Sequence, residues 1–527
     1  MKTWQDVASL YQIYPRSFRD TNGDGIGDLN GITEKLDYLA WLGVDGIWIS
    51  PFFLSPMTDF GYDISDYRAI DPTFGDLEDF RALLEKAHTL GIKVMIDLVP
   101  CHTSDQHPWF REAQSSRNNP RRDYYVWRDR QNGKEPNNWR SLSGGSSWEF
   151  DEQTSQFYLH SFLKTQPDLN WDNPVVRNEI KNVVRFWFDM GVDGMRVDAI
   201  WGISKDPEFG DDSPNPDFHG DPEAYGAFIH DHCKMGPRFQ EYLRELASVC
   251  DEYDDKQMVF EFYPDEKLGD IYQQYHQVLT AHPKASAFFM EYRQDEWHAE
   301  RTGQKIENYL RAAGSARPFF CVGNHDQPRI ASRLGMERAR VLHFLNLLTP
   351  GVSVMYYGDE IGMTNGELTV DDIQDNFSSA HSTIDSRDLE RTPMQWDDTR
   401  FAGFSEVKPW LPVNKNHSFI NVSTEKKIRY STLNLHRNLL QLRQDFPIFR
   451  DGSIEIIHNT GNGFVLGIKR ELGNERAYIF INFADAPQSF FIPENAEIIA
   501  STHPRYLILR KNQQLAVPGY CGVLLLA

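Results

Sequence analysis

The chain has 527 residues, with 54 lysines and arginines against 76 aspartates and glutamates, a formal net charge of −22 at pH 7. That balance excludes a nucleic-acid binder, because neutralising phosphates needs a basic face. With 40% hydrophobic and 13% aromatic residues the chain can bury a large core, so general disorder is excluded, and its length allows roughly two to four domains of about 150 residues. The opening MKTWQDVASLYQIYPRSF has no apolar run behind a basic segment, and no stretch of about 18 apolar residues occurs anywhere. Neither a signal peptide nor a membrane span is therefore expected, and the chain reads as soluble and cytoplasmic, a monomer or homodimer. Five scattered cysteines (Cys101, Cys233, Cys250, Cys321 and Cys521) form no CxxC pair and suit no disulfide framework, so they read as reduced, buried fillers.

Short β-rich runs recur in chain order: LYQIYP near residue 10, DGIWISPF at 45–52, IKVMIDLV at 92–99, VDGMRVDA at 192–199 and QMVFEF at 257–262. ASAFFMEY, RPFFCVG and VSVMYYG complete a set of eight. Segments with helical spacing lie between most of them, such as LEDFRALLEKAHTLG and NEIKNVVRFWFDMG, the latter ending on a glycine suited to a C-cap. Eight alternating strands and helices predict a (β/α)8 TIM barrel over residues 1–102 and 169–446. Residues 103–168, rich in Trp, Asn, Arg and Gly, are too long for an ordinary βα loop and predict a small domain inserted after strand 3. Beyond 447 the helical pattern stops, and GFVLGIKR, RAYIFINF, RYLILR and GVLLLA predict an antiparallel β-sandwich domain over 447–527.

Several predicted strands end in polar groups: Asp97 to His102, Arg196 with Asp198, Glu261, and His325 with Asp326. In a TIM barrel the C-terminal strand ends build the active site, so these residues should converge. Asp198 and Glu261 form the pair a glycoside hydrolase needs, one carboxylate to attack the anomeric carbon and one acid to protonate the leaving oxygen. Arg196 shares a strand face with Asp198 and should keep it ionised. Taken alone, that pair reads equally as a structural ion pair, and His325-Asp326 as a local hydrogen bond. The segment Asp20 to Asp28 sets Asp20, Asn22, Asp24 and Asp28 at positions 1, 3, 5 and 9 of an EF-hand-like loop, with the Ile26 carbonyl at position 7. Structural Ca²⁺ or Mg²⁺ is expected there. Position 12 is Gly31 rather than a glutamate, so another ligand must complete the shell.

Together DLVPCHTS, GVDGMRVDAI, VFEFYPD and VGNHDQPR, with QPDLN at 166–170, resemble in order and spacing the signature regions of the α-amylase superfamily, glycoside hydrolase family 13. QPDLN and YQIYPRSFRDTNGDGIGDLNGI are similar to its α-glucosidase and oligo-1,6-glucosidase branch. The resemblance implies Asp198 as nucleophile, Glu261 as general acid/base and Asp326 as transition-state stabiliser. His102, Arg196 and His325 would hold the sugar, and in TDFGYD Asp59 would grip the terminal glucose while Tyr62 stacks on it. Phe162 would supply an apolar wall and Arg387, ahead of Arg391, a clamp on hydroxyls. Cys101 stands where relatives commonly have Asn, so the calcium site of true α-amylases is not expected. Ile200 stands where α-1,6-preferring members commonly have Val, which leans the expectation towards maltose-like substrates.

The implied activity is an exo-acting, retaining α-glucosidase on maltose, short malto-oligosaccharides or other small α-glucosides, with no organic cofactor. An oligo-1,6-glucosidase, a sucrose-acting enzyme or an α-glucosyltransferase shares the same chemistry. Non-catalytic transporter heavy chains resemble the family too, but that reading predicts a membrane anchor and eroded catalytic positions.

Overall fold

The computed structural model describes residues 2–293, 297–377, 386–457 and 463–527. Each of the eight predicted runs forms a strand: β1 (Ser9–Ile13), β2 (Gly46–Ile49), β3 (Lys93–Leu98), β4 (Gly194–Val197), β5 (Gln257–Phe260), β6 (Ala285–Phe289), β7 (Phe319–Cys321) and β8 (Val352–Tyr356). They pair in parallel and close on themselves, β1 lying between β2 and β8. The helices α1 (Leu29–Leu42), α2 (Leu77–Thr89), α3 (Pro174–Met190), α4 (Phe239–Ala247), α5 (Ile271–Leu279), α6 (Ala299–Ala313), α7 (Met336–Leu348) and α8 (Thr432–Asp445) follow the strands in turn. Boundaries obey local chemistry. Asn173 caps α3 ahead of Pro174, and Gly191 ends it at φ 116°, in the left-handed region that favours glycine.

Strand alternation sorts side chains into two cores. Tyr11, Ile47, Ile96, Val197 and Phe260 point out and pack in the main core with the helices, whereas Leu10, Trp48, Met95, Val259 and Phe319 fill the barrel interior. Further along the same inward rows come Gln12, Asp97 and Arg196, all fully buried. Register aligns Asp97 with Arg196, and Arg196 with Val259. The interior thus turns from apolar to charged just below the C-terminal mouth.

Residues 103–168 carry the helix Pro108–Ser115 and a three-stranded antiparallel sheet in the order Trp127–Arg128, Gln156–Leu159, Trp148–Asp151. Bridges from His102 to Asp168 and from Tyr125 to Leu169 tie both ends of this segment to the barrel rim. The chain after 452 forms five-stranded and three-stranded antiparallel sheets, sharing an apolar cluster that includes Phe480, Phe490, Leu515 and Val523. One expectation fails there. RYLILR is not a continuous strand: Arg505–Leu507 is a 3-10 turn after Pro504, and only Leu509–Lys511 pairs. The contiguous apolar residues at 506–509 do not alternate, and the turn buries Ile508 while Tyr506 is 75% exposed. The helical pattern also reaches past 447, as the short helix Ile448–Asp451.

Glu360, in the turn after β8, closes the barrel seam by accepting 2.8 Å hydrogen bonds from Tyr11 of β1 and Tyr38 of α1. Burial raises its carboxyl from 4.5 to about 7. The folded state therefore holds this proton more tightly than the unfolded chain, and the stabilisation it gives at low pH is lost as pH rises from about 4.5 to about 7. Glu360→Gln should gain on the wild type by on the order of 2 kcal/mol between pH 5 and pH 8. Urea unfolding of both proteins at the two pH values reads this; equal slopes would mean that the carboxyl titrates normally.

Candidate active site

The predicted strand-end groups meet around one guanidinium. Arg196, fully buried on β4, donates from Nη1 to Asp97 Oδ2 at 2.7 Å and to Asp198 Oδ1 at 2.8 Å. Glu261 Oε1 lies 2.5 Å from its Nη2, an ion-pair contact off the hydrogen-bonding line. Asp97 also accepts from Trp48 Nε1 and from Tyr62 OH. The chain turns sharply after Asp198: Ala199 sits at φ 43°, which aims its N–H at Glu261 Oε2, 3.2 Å away. Such a left-handed non-glycine residue costs about 1–3 kcal/mol and is held by its surroundings.

The expectation that Arg196 keeps Asp198 ionised needs correction. Burial, reinforced by Glu261, Asp97 and Asp326, pushes Asp198 well above the usual carboxylate range, and Arg196 only opposes this. Burial likewise lifts Asp97 to about 6. Three buried carboxyls share one cation, and that excess favours retention of a proton within the cluster. Asp326 goes the other way. Burial alone would raise it, but the Arg391 and Arg387 guanidiniums outweigh burial and hold it below the usual range.

A second network closes one side of the site. Arg387 pairs with Asp59 at 2.7 Å and Asp326 at 3.3 Å, while Arg391 reaches the same Asp326 oxygen at 2.7 Å. Arg387 is itself gripped by both oxygens of Asp375 at 2.6 and 2.9 Å. Asp59 Oδ2 accepts from Gln166 of the QPDLN string. His325 accepts at Nδ1 from Gln12 and meets Tyr62 OH through Nε2 at 2.7 Å, the two rings stacked within 5°. Burial lowers both His325 and His102, so both imidazoles are neutral. His102 lies 4.9 Å from the Phe162 ring, and its buried Nδ1 has no hydrogen-bond partner among the described residues.

These groups enclose a cavity of about 370 Å³ at the barrel mouth, within the range of small-ligand sites. Asp59, Tyr62, His102, Phe162, Asp198, Glu261, Asp326 and Arg387 line it. Arg196 and His325, both fully buried, support those residues from beneath. Sequence reasoning missed Asp375, and Phe377, whose ring lies under Arg387 at 4.6 Å. It also missed Trp201, Tyr225 and Lys234, where the Lys234 ammonium stands 5.1 Å from both rings. The long β4–α4 connection was the signal available for this last group.

The metal expectation falls on the loop after β1, apart from the cavity. Asp20 accepts from the N–H groups of Gly23 and Gly25 and from Ser405 Oγ; Asp28 accepts from Thr21 and caps α1 at Gly31. Asn22 and Asp24 accept from the N–H groups two residues on. A side chain at Gly25, φ 88°, would strike Lys408 O at 2.4 Å, so the turn needs glycine. Every predicted donor is a hard oxygen of the kind Ca²⁺ or Mg²⁺ takes, although Asp20, Asp24 and Asp28 do not gather one carboxylate oxygen each within 4.8 Å of the others.

The sequence model of the α-amylase catalytic domain matches residues 12–452, so the chain belongs to the α-amylase family of glycoside hydrolases. It is 38% identical to an oligo-1,6-glucosidase of Parageobacillus thermoglucosidasius over 98% of this chain and 95% of that protein. It is 39% identical to an α-glucosidase of Apis mellifera, over 91% and 85% respectively. Among solved structures, an α-glucosyl transfer enzyme superposes with TM-score 0.93 at 37% identity, covering all of both chains. The trehalulose synthase of Pseudomonas mesoacidophila MX-45 superposes at 0.88 and 36%, covering 99% of each.

Asp198→Asn should lower kcat by on the order of 10⁴-fold or more. Because it removes a buried charge that the folded state disfavours, the same variant should melt at or above the wild-type temperature at pH 7. Turnover of an aryl α-glucoside and a thermal melt check both; near-normal activity, or a large loss of stability, would contradict the reading.

Proposed function

We propose that the protein is an exo-acting, retaining α-glucosidase that releases glucose from the non-reducing end of maltose, short malto-oligosaccharides or other small α-glucosides. The observation that supports it most is the pairing of Asp198 and Glu261 on one buried guanidinium at the cavity floor. Neighbouring nitrogens of one guanidinium draw two carboxyls close, in keeping with the ~5 Å spacing of retaining enzymes rather than the wider gap that admits a water between them.

In this reading the proton retained by the cluster sits on Glu261 when substrate is bound, so Asp198 attacks the anomeric carbon as the carboxylate while Glu261 gives that proton to the glycosidic oxygen, which leaves with the aglycone. The covalent glucosyl-enzyme is then opened by water. Glu261 takes the water's proton, and glucose departs with its α configuration. Asp326, held ionised by Arg387 and Arg391, offers a charged acceptor for sugar hydroxyls as positive charge builds on the ring. His102 and His325 would bind hydroxyls as neutral imidazoles. Asp59, Arg387 and Asp375 form a wall of crossed ion pairs, which leaves room for a chain end and not for a polymer passing through.

Asp20, Asn22, Asp24, Asp28 and the Ile26 carbonyl would hold a structural Ca²⁺ or Mg²⁺, bracing the loop after β1. Elemental analysis of the wild type and Asp24→Ala reads its presence. Transfer of glucose to another hydroxyl is the second reading, favoured by the aromatic wall of Trp201 and Tyr225, on which an acceptor sugar can stack. With maltose, isomaltose, sucrose and trehalose as substrates, chromatography should show glucose released fastest from maltose, and polarimetry should show α-glucose first. Isomerised sucrose as the main product would replace hydrolysis by transfer, and slow turnover of all four would refute the small-glucoside reading.

A further inference from the structure

The connection from β4 to α4 supplies Trp201, Tyr225 and Lys234 to the cavity, and it also gathers three potential metal ligands just behind that wall. One ligand atom each from Asp212, His230 and Cys233 lies within 4.8 Å of the others. The three residues are 1%, 3% and 9% exposed. We propose that Asp212 Oδ2, His230 Nδ1 and Cys233 Sγ bind a zinc ion that fixes this connection against the active-site mouth.

The histidine and the aspartate are oriented for ligation, whereas burial pushes the Cys233 thiol up, so its proton has to be displaced by the ion. His230 Nε2 donates to the Tyr225 carbonyl at 2.9 Å, which leaves the Nδ1 lone pair 3.4 Å from Asp212 Oδ2 and 3.6 Å from Cys233 Sγ. A carbonyl on the far nitrogen is the usual way a metal-binding imidazole is oriented. Asp212 Oδ1 accepts from the N–H groups of His232 and Cys233 at 2.8 and 3.2 Å, whereas its buried Oδ2 has no hydrogen-bond partner among the described residues. Leaving a buried carboxylate oxygen unpaired is costly, and a cation removes that cost.

The chemistry of the set selects the ion. A thiolate, an imidazole and a carboxylate are the ligands of zinc, whereas Ca²⁺ and Mg²⁺ take oxygen. Binding displaces the thiol proton of Cys233 to solvent and forms a zinc–sulfur bond. Two anionic ligands then balance the dication, and water takes the remaining position. The backbone also needs a fastener: Phe209, His230 and Met235 all lie in the left-handed region, at φ 54°, 64° and 46°. Through His230, whose ring stacks on Tyr225 at 3.7 Å, and through Lys234, the next residue after Cys233, the ion would set the cavity's aromatic and cationic rim.

The test uses the full chain, loaded with zinc alone and dialysed free of excess. Wild type should retain about one zinc per chain beyond any calcium. Cys233→Ser and His230→Ala should retain almost none, and Cys521→Ala, remote in the C-terminal sheets, should retain it. Cobalt substitution should give a thiolate-to-cobalt absorption band that Cys233→Ser lacks. Zinc removal should raise KM for maltose several-fold with a smaller change in kcat, because Asp198 and Glu261 are untouched. No retained zinc in the wild type, or cobalt protein without the thiolate band, overturns the site however the variants fold. Undiminished zinc in both variants overturns the assigned ligands. Metal content is read independently of the substrate, so a failure here leaves the glucosidase reading standing, and the reverse.

Discussion

A fully buried guanidinium in the middle of a barrel is tolerable only if its charge is met on several sides, and Arg196 is met by Asp97, Asp198 and Glu261. The dependence is mutual. Without Arg196 these three carboxyls would face one another in a water-poor interior and repel unless protonated. Because β3, β4 and β5 are in register, the inward positions that hold them fall in adjacent layers. A slip of one residue in any of the three strands would send a charge out among the helices. The charged layer therefore specifies the strand register as much as the register builds the layer.

Around that centre, backbone and loops do different jobs. The barrel supplies Asp198 and Glu261 from consecutive strands and raises the protonation of the cluster through burial. The loops decide what can enter: Asp59 from the connection after β2, with Asp375 and Arg387 from the connection after β8, cross-links two of them into a closed side, and the Arg387–Asp375 pair brings Asp375 down to about 2 although burial opposes it. Asp326 is where the two systems meet, drawing on His325 from a strand end and on Arg387 and Arg391 from the connection after β8. Its depressed protonation, beside a cluster of buried carboxyls that retains a proton, gives one site both a permanently charged carboxyl and a proton to donate.

Much of this was legible in the residues themselves. The eight barrel strands are short, buried and β-branched or aromatic, so each stands out as a run. The charged residues that interrupt those runs at their C-terminal ends marked the active-site face. Asp59, Tyr62, Phe162 and Arg387 were placed by the resemblance of their motif strings to those of the family, and all four line the cavity. Asp375, Phe377, Tyr225 and Lys234 lie in long connections without periodicity, where neighbours in space are set by loop packing and no local pattern records them. Protonation was misjudged for the same reason. A strand pattern shows that Arg196 neighbours Asp198, but not that two further carboxyls compete for it under full burial.

The central claim is that Asp198 bonds covalently to glucose. A fluorinated α-glucosyl fluoride that reacts quickly in the first step and slowly in the second should trap the intermediate, and peptide mapping by mass spectrometry would locate it. The account predicts a single glucosyl adduct on Asp198, formed in the wild type and missing from Asp198→Asn. An adduct on Glu261, or turnover that gives inverted β-glucose with no adduct, would contradict it.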